Sequence, residues 1–394
     1  MDFDASFSIP MSAPDLGEAE RQAVLSVVST PHLSMGPYLK AFEEAFRRYT
    51  GCRFAVAVSS GTAGLHLCVL AAGIGEGDLV ITTPFSFVAS SNVLLYERAV
   101  PVFVDVDERT GSLDPQQVQS AVQDLLAGGA AARRWLPRRG AAENARLKAI
   151  LAVDVFGQAA DYDRLAPLAA EHGLRLIEDS CEALGAEYRG RPAGTLGEMG
   201  VFAFYPNKQI TTGEGGMIVT DDERAARLAQ ALRNQGRAPG DTWLQHTYLG
   251  YNYRMDELSA ALGTAQMARL EELLAARQRV AGWYARHLAG IAGVQPPFIA
   301  PETTRPSWFV YVVRLERGID RAGVAQRLAA RGIPTRPYFA PIHLQPYMVE
   351  RFGYRTGDFP VTEDLGQRGL ALPFSGKMSE EQVAQVCAQL RAVL

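Results

Sequence analysis

The chain has 394 residues, a net charge of −4 and 47% hydrophobic residues, the make-up of a soluble globular protein with one large and one smaller domain, or two of ordinary size. No basic block or tail marks a nucleic-acid or membrane surface, no apolar run reaches transmembrane length, and residues 1–14 lack the basic start and apolar stretch of a signal peptide. The four cysteines, Cys52, Cys68, Cys181 and Cys387, show no metal-ligand spacing and read as reduced thiols of a cytoplasmic protein.

In chain order, residues 54–58 form a short apolar, β-branched run that predicts a strand, and 63–72 predict a helix. Strands are predicted at 79–82 and 100–104. Residues 127–145 hold Gly128, Gly129, Pro137 and Gly140 among alanines and arginines and read as a surface insertion, with Arg133, Arg134, Arg138 and Arg139 on a solvated loop. Further strands are predicted at 149–155, 174–177, 201–204 and 217–220, with helical sequence between most of them. Short, fully apolar strands alternating with helices predict an α/β domain whose mostly parallel sheet is covered on both faces. A long helix at 268–288 then leaves that domain, followed by a strand at 309–315 and helices at 321–331 and 379–394. The expected division is a large domain over 1–265, with 1–20 as an arm, and a small α+β domain over 266–394.

Ligands of such sheets gather at the carboxyl ends of the strands, and several chemically informative residues follow predicted strands. Only four lysines, Lys40, Lys148, Lys208 and Lys377, stand against thirty-five arginines. An amine can condense with an aldehyde where a guanidinium cannot, so Lys208 is a candidate for covalent chemistry. Ser60-Gly61-Thr62-Ala63 joins a strand to a helix, where backbone N–H groups suit a phosphate, although Ser-Gly-Thr is also an ordinary helix cap. Asp179 ends a strand, where it could hold the proton of a pyridine nitrogen or cap the following segment. Phe87 could stack on a ring or lie in the core. Gly213-Glu214-Gly215-Gly216 permits close backbone approach or forms a plain turn. In the order Thr62, Phe87, Asp179, Lys208 these parts describe a site for pyridoxal phosphate: a phosphate cup, a ring stacker, an acid for the ring nitrogen and an amine for the aldehyde.

With those motifs in place the chain resembles the DegT/StrS-type sugar aminotransferases. The matching stretches include Ser60-Gly61-Thr62-Ala63-Gly64-Leu65-His66-Leu67, Thr83-Pro84-Phe85-Ser86-Phe87, Val155-Phe156-Gly157-Gln158, Glu178-Asp179-Ser180-Cys181-Glu182-Ala183, the Lys208 segment, and Gly250-Tyr251-Asn252-Tyr253-Arg254. The resemblance runs from about Leu16 to the C-terminus. It implies the type I, aspartate aminotransferase-like fold, with Lys208 as the residue that condenses with the cofactor and Asp179 as the partner of its ring nitrogen. It also implies Phe87 over the ring and Gly61, Thr62 and Ala63 at the phosphate, with Glu182 near the cofactor's 3-oxygen. Asn252 would reach the cofactor of a neighbouring subunit, which implies a homodimer. Tyr338 and His343 fall where the family contacts nucleotide-sugar substrate. Asn252 is otherwise a turn residue, His343 a satisfied loop histidine and Tyr338 a core aromatic.

Two departures stand out. Ala203 occupies a position where a phosphate-contacting serine is frequent, which removes a hydrogen bond worth roughly 1 kcal/mol. Glu182 stands where glutamine is frequent, and a carboxylate facing a phenolate-like oxygen is repelled unless protonated or turned aside. The implied reaction moves an amino group from an amino acid, glutamate or glutamine, to a nucleotide-linked keto-deoxysugar. A keto-cyclitol acceptor and a non-catalytic regulatory protein are alternatives, and a dehydratase is disfavoured because those relatives carry histidine in place of the lysine. No metal, nucleic-acid or membrane partner is expected.

Overall fold

The structure, a computed structural model, describes residues 9–142 and 145–394. Residues 1–8 of the expected arm and 143–144 of the expected insertion lie outside the described residues.

The first half of the chain supplies β1 (Phe54–Val58), β2 (Leu79–Thr82), β3 (Val100–Phe103), β4 (Leu147–Val153) and β5 (Arg175–Asp179). A small hairpin of β6 (Glu187–Tyr188) and β7 (Arg191–Pro192) precedes β8 (Met199–Ala203) and β9 (Gly216–Thr220). Seven of these build one sheet in the order β1-β9-β8-β5-β4-β2-β3. The pairs from β8 to β3 are parallel, whereas β9 runs antiparallel to both β1 and β8. The connections explain the difference. Helices such as Gly61–Ala71 and Tyr162–Glu171 provide the crossovers that same-sense strands need, but only the loop 204–215 separates β8 from β9.

Side chains alternate between the two faces. Val80, Leu151, Ile177, Val201 and Ile218 pack with residues of helices Gly61–Ala71 and Glu223–Arg233. Ile81, Val102, Ile150, Ala152 and Leu176 pack with residues of helices Pro115–Ala127 and Tyr162–Glu171. Burial on both faces is why these strands read as uniformly apolar runs. At the β1–β9–β8 end, Ala57, Phe202, Met217 and Val219 lie against Phe42 and Phe46 of helix Pro37–Thr50.

The C-terminal part adds β10 (Val294–Gln295), β11 (Thr303–Arg305), β12 (Tyr311–Leu315) and β13 (Gly369–Leu372). β10, β12 and β13 form an antiparallel sheet, and β11 joins β6 and β7. Tyr284, Tyr311, Val313, Leu328, Leu372 and Leu390 form the centre of a separate apolar core, which Ile9 also enters. Ile342, Met348, Phe352 and Tyr354 instead join the core of the large sheet. The Tyr354 hydroxyl donates to the Pro101 carbonyl at 3.1 Å, and the Ile342 N–H donates to Pro84 at 2.8 Å. The chain beyond residue 266 therefore contributes to two cores.

Two local expectations change. The helix expected over 268–288 runs from Leu270 to Leu288, and a further helix, Glu257–Ala268, precedes it with a break at Arg269. That arginine binds Glu20, Asp15 and Glu272, tying the break to the N-terminal segment. The insertion is not merely a solvated loop. It contains a helical turn, Gly129–Arg133. The Trp135 indole and Arg134 both bind Asp124. Arg138 grips Asp358 with two nitrogens, at 2.5 and 2.7 Å, fastening the insertion to the segment after helix Pro346–Phe352. Among the described residues no helix is long and apolar enough to cross a membrane.

Candidate active site

The last residues of β4, β5 and β8, namely Val153, Asp179 and Ala203, open onto a cavity of about 570 Å³. Ser60, Gly61 and Thr62 line it at the start of helix Gly61–Ala71. The Ser60 hydroxyl accepts the Ala63 N–H at 3.0 Å and so caps the helix. Gly61 has no room for a side chain, since a Cβ there would come within 2.7 Å of the Ala203 methyl and 2.9 Å of Cys181 Sγ. Gly216 is equally constrained, because a Cβ there would meet the Ser60 carbonyl at 2.5 Å. The glycine run after Lys208 thus lets β9 pass directly behind the helix start.

Asp179 is buried, with 5% of its surface exposed. Its Oδ2 accepts from the Ser90 hydroxyl at 2.8 Å and its Oδ1 from the Cys181 N–H at 3.2 Å. Both donors are uncharged, so the carboxylate keeps its charge available for a cationic partner from the cavity.

Lys208 lies in the β8–β9 loop, which is closed by Phe204 N–H to Gly215 O at 3.0 Å, Thr212 N–H to Phe204 O at 3.0 Å and Lys208 N–H to Tyr205 O at 2.9 Å. Its Nζ sits 3.7 Å from Glu182 Oε1 and 3.8 Å from the centre of the Phe309 ring. The second Glu182 oxygen accepts the Phe156 N–H at 3.0 Å. Burial pushes the Glu182 carboxyl up, against the opposing pull of the Lys208 ammonium. Both Glu182 oxygens are thus engaged, one near the Lys208 amine and the other by the Phe156 N–H.

Phe87 and Tyr338 also line the cavity. Phe87 is 63% exposed while Phe85 is 2% exposed, so of these two rings Phe85 takes the core position. Tyr338 is stacked near Phe156 and Phe309, and burial pushes its phenol up to about 12.

Two expected residues, Ala63 and His343, do not line this cavity. The Ala63 N–H is already committed to Ser60, leaving the cup to Gly61, Thr62 and Ser60. His343 is fully buried among Phe359 and Tyr354, with Nε2 3.0 Å from Glu363 Oε1 and Nδ1 without a hydrogen-bond partner, so the packing makes it a core histidine rather than a lining residue. Asn252 lies exposed on the surface, in a segment bridged to Asn234.

Sequence reasoning missed Ser90 and Phe309. Ser90 stands one turn of helix after Phe87, and that spacing places both on one side of the segment. Phe309 is an ordinary aromatic in a distant part of the chain and carries no local signal.

The sequence model of the DegT/DnrJ/EryC1/StrS aminotransferase family matches residues 14–391. The chain belongs to this family. It is 39% identical to the GDP-perosamine synthase of Caulobacter vibrioides over 98% of both chains. The crystal structure of S. venezuelae DesV in complex with a ketimine intermediate superposes with a TM-score of 0.84 at 33% identity, covering 95% of this chain and 93% of that one. The PLP-form of the putative sugar aminotransferase Spr1654 from Streptococcus pneumoniae gives a TM-score of 0.86 at 26% identity, over 98% of both chains. The DegT/DnrJ/EryC1/StrS member described here is a pyridoxal phosphate-dependent sugar aminotransferase of the type I fold. Its residues fit that cofactor: a helix start that a single Cβ at Gly61 would fill, a buried carboxylate held by uncharged donors at Asp179, and an amine on the cavity wall at Lys208.

Proposed function

We propose that Lys208 is the amine that binds the cofactor's aldehyde and later shuttles the proton, and that the acceptor is a nucleotide-linked keto-deoxysugar. The observation that carries this reading is the placement of Lys208, Asp179 and the Gly61–Thr62 helix start around one cavity. Bound pyridoxal phosphate supplies an electrophilic aldehyde and an electron-withdrawing ring. Gly61, Thr62 and Ser60 would hold its phosphate, Phe87 would cover the ring, and Asp179 would hold the proton of the ring nitrogen.

Lys208 takes the proton from the α-carbon of the amino donor, glutamate or glutamine, and returns a proton to the sugar carbon that receives nitrogen. Ser90 and the Cys181 N–H keep the Asp179 oxygens aimed into the cavity, and Glu182 with Phe309 brackets the lysine amine. Tyr338, on the cavity wall, is the substrate-contacting residue in this reading. The site is completed by a second copy of the chain, with Asn252 of one subunit at the phosphate of the other. Residues up to about 265 form the cofactor-binding part and the remainder the smaller one, except that Ile342, Met348, Phe352 and Tyr354 pack with the large sheet.

The relative named as a GDP-perosamine synthase makes a GDP-linked keto-deoxysugar the first acceptor to test. Enzyme carrying the amino form of the cofactor, offered a panel of GDP-, UDP- and dTDP-linked keto-sugars and keto-cyclitols, should be returned to the aldehyde form by the nucleotide sugars. Conversion by cyclitols alone would contradict the acceptor class. Lys208→Arg should abolish both half-reactions in a folded protein.

A further inference from the structure

Behind the lysine loop lies an arginine that the chemistry above does not use. Arg277, on helix Leu270–Leu288, is 4% exposed. One guanidinium nitrogen donates to the Asn207 and Lys208 carbonyls, at 3.4 and 2.6 Å. The other donates to the Trp308 and Phe309 carbonyls, at 3.1 and 3.3 Å. All four acceptors are uncharged backbone groups. Burial pulls the guanidinium down to about 10, which leaves it a cation at neutral pH. Burying a cation without a counter-ion is costly, and for apolar packing alone a leucine or methionine at this position of the helix suffices.

The four carbonyls share one property: they belong to the two loops that bracket the lysine amine. Asn207–Lys208 carries Lys208 itself, and Trp308–Phe309 carries the ring lying 3.8 Å from Nζ. A second tie runs in parallel, since the Gln209 amide donates to the Glu182 carbonyl at 2.6 Å and to the Ser307 hydroxyl at 2.8 Å. We infer that Arg277 is a positioning residue for Lys208, its fork holding the Asn207–Lys208 and Trp308–Phe309 loops together so that the amine stays between the Phe309 ring and the Glu182 carboxylate. The planar guanidinium can serve two loops at once, whereas a lysine ammonium presents its donors from a single point. The clasp also joins the lysine loop to helix Leu270–Leu288, so a displacement of that helix moves the amine.

This inference rests on the reading of Lys208 as the reacting amine, and its test separates the two. Cofactor-free wild type, Arg277→Gln and Arg277→Lys are acetylated with an amine-reactive reagent, and peptide masses give the labelling rate of each of the four lysines. Lys40, Lys148 and Lys377 serve as internal standards. In Arg277→Gln, Lys208 should label about threefold faster or more than in wild type relative to those standards, and kcat should fall about tenfold or more with donor KM within about twofold. Arg277→Lys should fall between the two. Unchanged Lys208 labelling and kcat in folded Arg277→Gln would overturn the inference. If that variant does not fold, wild-type values in Arg277→Lys overturn it instead. Cofactor bound to another lysine removes the Lys208 reading, while the labelling still reports whether Arg277 holds the loop.

Discussion

Replacing Ala203 with serine should tighten cofactor binding, and the structure allows the size to be worked out. Ala203 ends β8 and lines the cavity beside Gly61, where the ideal Cβ of a non-glycine residue would approach the Ala203 methyl to 2.7 Å. A hydroxyl added at that methyl can turn only towards the open cavity, because the Gly61 side is filled. There it faces the helix start assigned to the phosphate. A hydrogen bond to a charged acceptor is worth about 1.5–3 kcal/mol, and fixing one hydroxyl rotor and stripping its water offset part of that. The net gain expected is about 1 kcal/mol, or about fivefold in Kd. The assay is titration of the cofactor-free proteins with pyridoxal phosphate and, separately, with pyridoxal, which lacks the phosphate. Ala203→Ser should bind pyridoxal phosphate about fivefold tighter and pyridoxal equally well. An equal change for both compounds, or none for either, would refute the placement of the phosphate at Gly61 and Thr62.

Further outcomes follow from the same geometry. Asp179→Asn keeps the shape but removes the charge facing the cavity, and the half-reaction with the amino donor should slow by about 100-fold or more; single-turnover absorbance changes measure it, and a loss under tenfold speaks against Asp179 as the proton holder. Lys208→Arg and Asn252→Asp should each be impaired alone, yet co-expression should restore about a quarter of wild-type activity on random pairing, since one site of each mixed dimer is intact; no recovery in mixed dimers contradicts a contribution in trans. Asp154, buried beside Glu178 and bonded to Ser180 and Tyr162, has its carboxyl pushed well above its ordinary 3.8, chiefly by burial. Because the folded state binds that proton more tightly than the unfolded one, stability should fall as pH rises from about 4 through the raised value. Asp154→Asn should remove this part of the fall, and parallel urea-denaturation profiles for both proteins from acid to neutral pH contradict it.

What could be read from the sequence depended on whether the signal was local. The strands of the large sheet were legible because burial on both faces makes them continuous apolar runs, and Gly61, Asp179 and Lys208 because each follows such a run. The direction of β9 was not, since an apolar run reads alike either way and the short loop 204–215 decides it. Ala63 was legible only as part of the motif, and the donation of its N–H to the Ser60 cap was not. His343 followed the pattern of the family, but the packing of residues 342–354 onto the large sheet carries it into the interior. Phe309 and Arg277 were invisible because their meaning lies in contacts made across the fold with Lys208, and neither residue type is unusual in its own neighbourhood.

The account turns on which amine meets the cofactor, and the scarcity of lysine makes that directly measurable. Protein loaded with pyridoxal phosphate is treated with borohydride to make the cofactor–protein bond permanent, digested and mapped by mass. The added mass should lie on Lys208 alone. Cofactor fixed on Lys40, Lys148 or Lys377 with Lys208 unmodified would contradict the account.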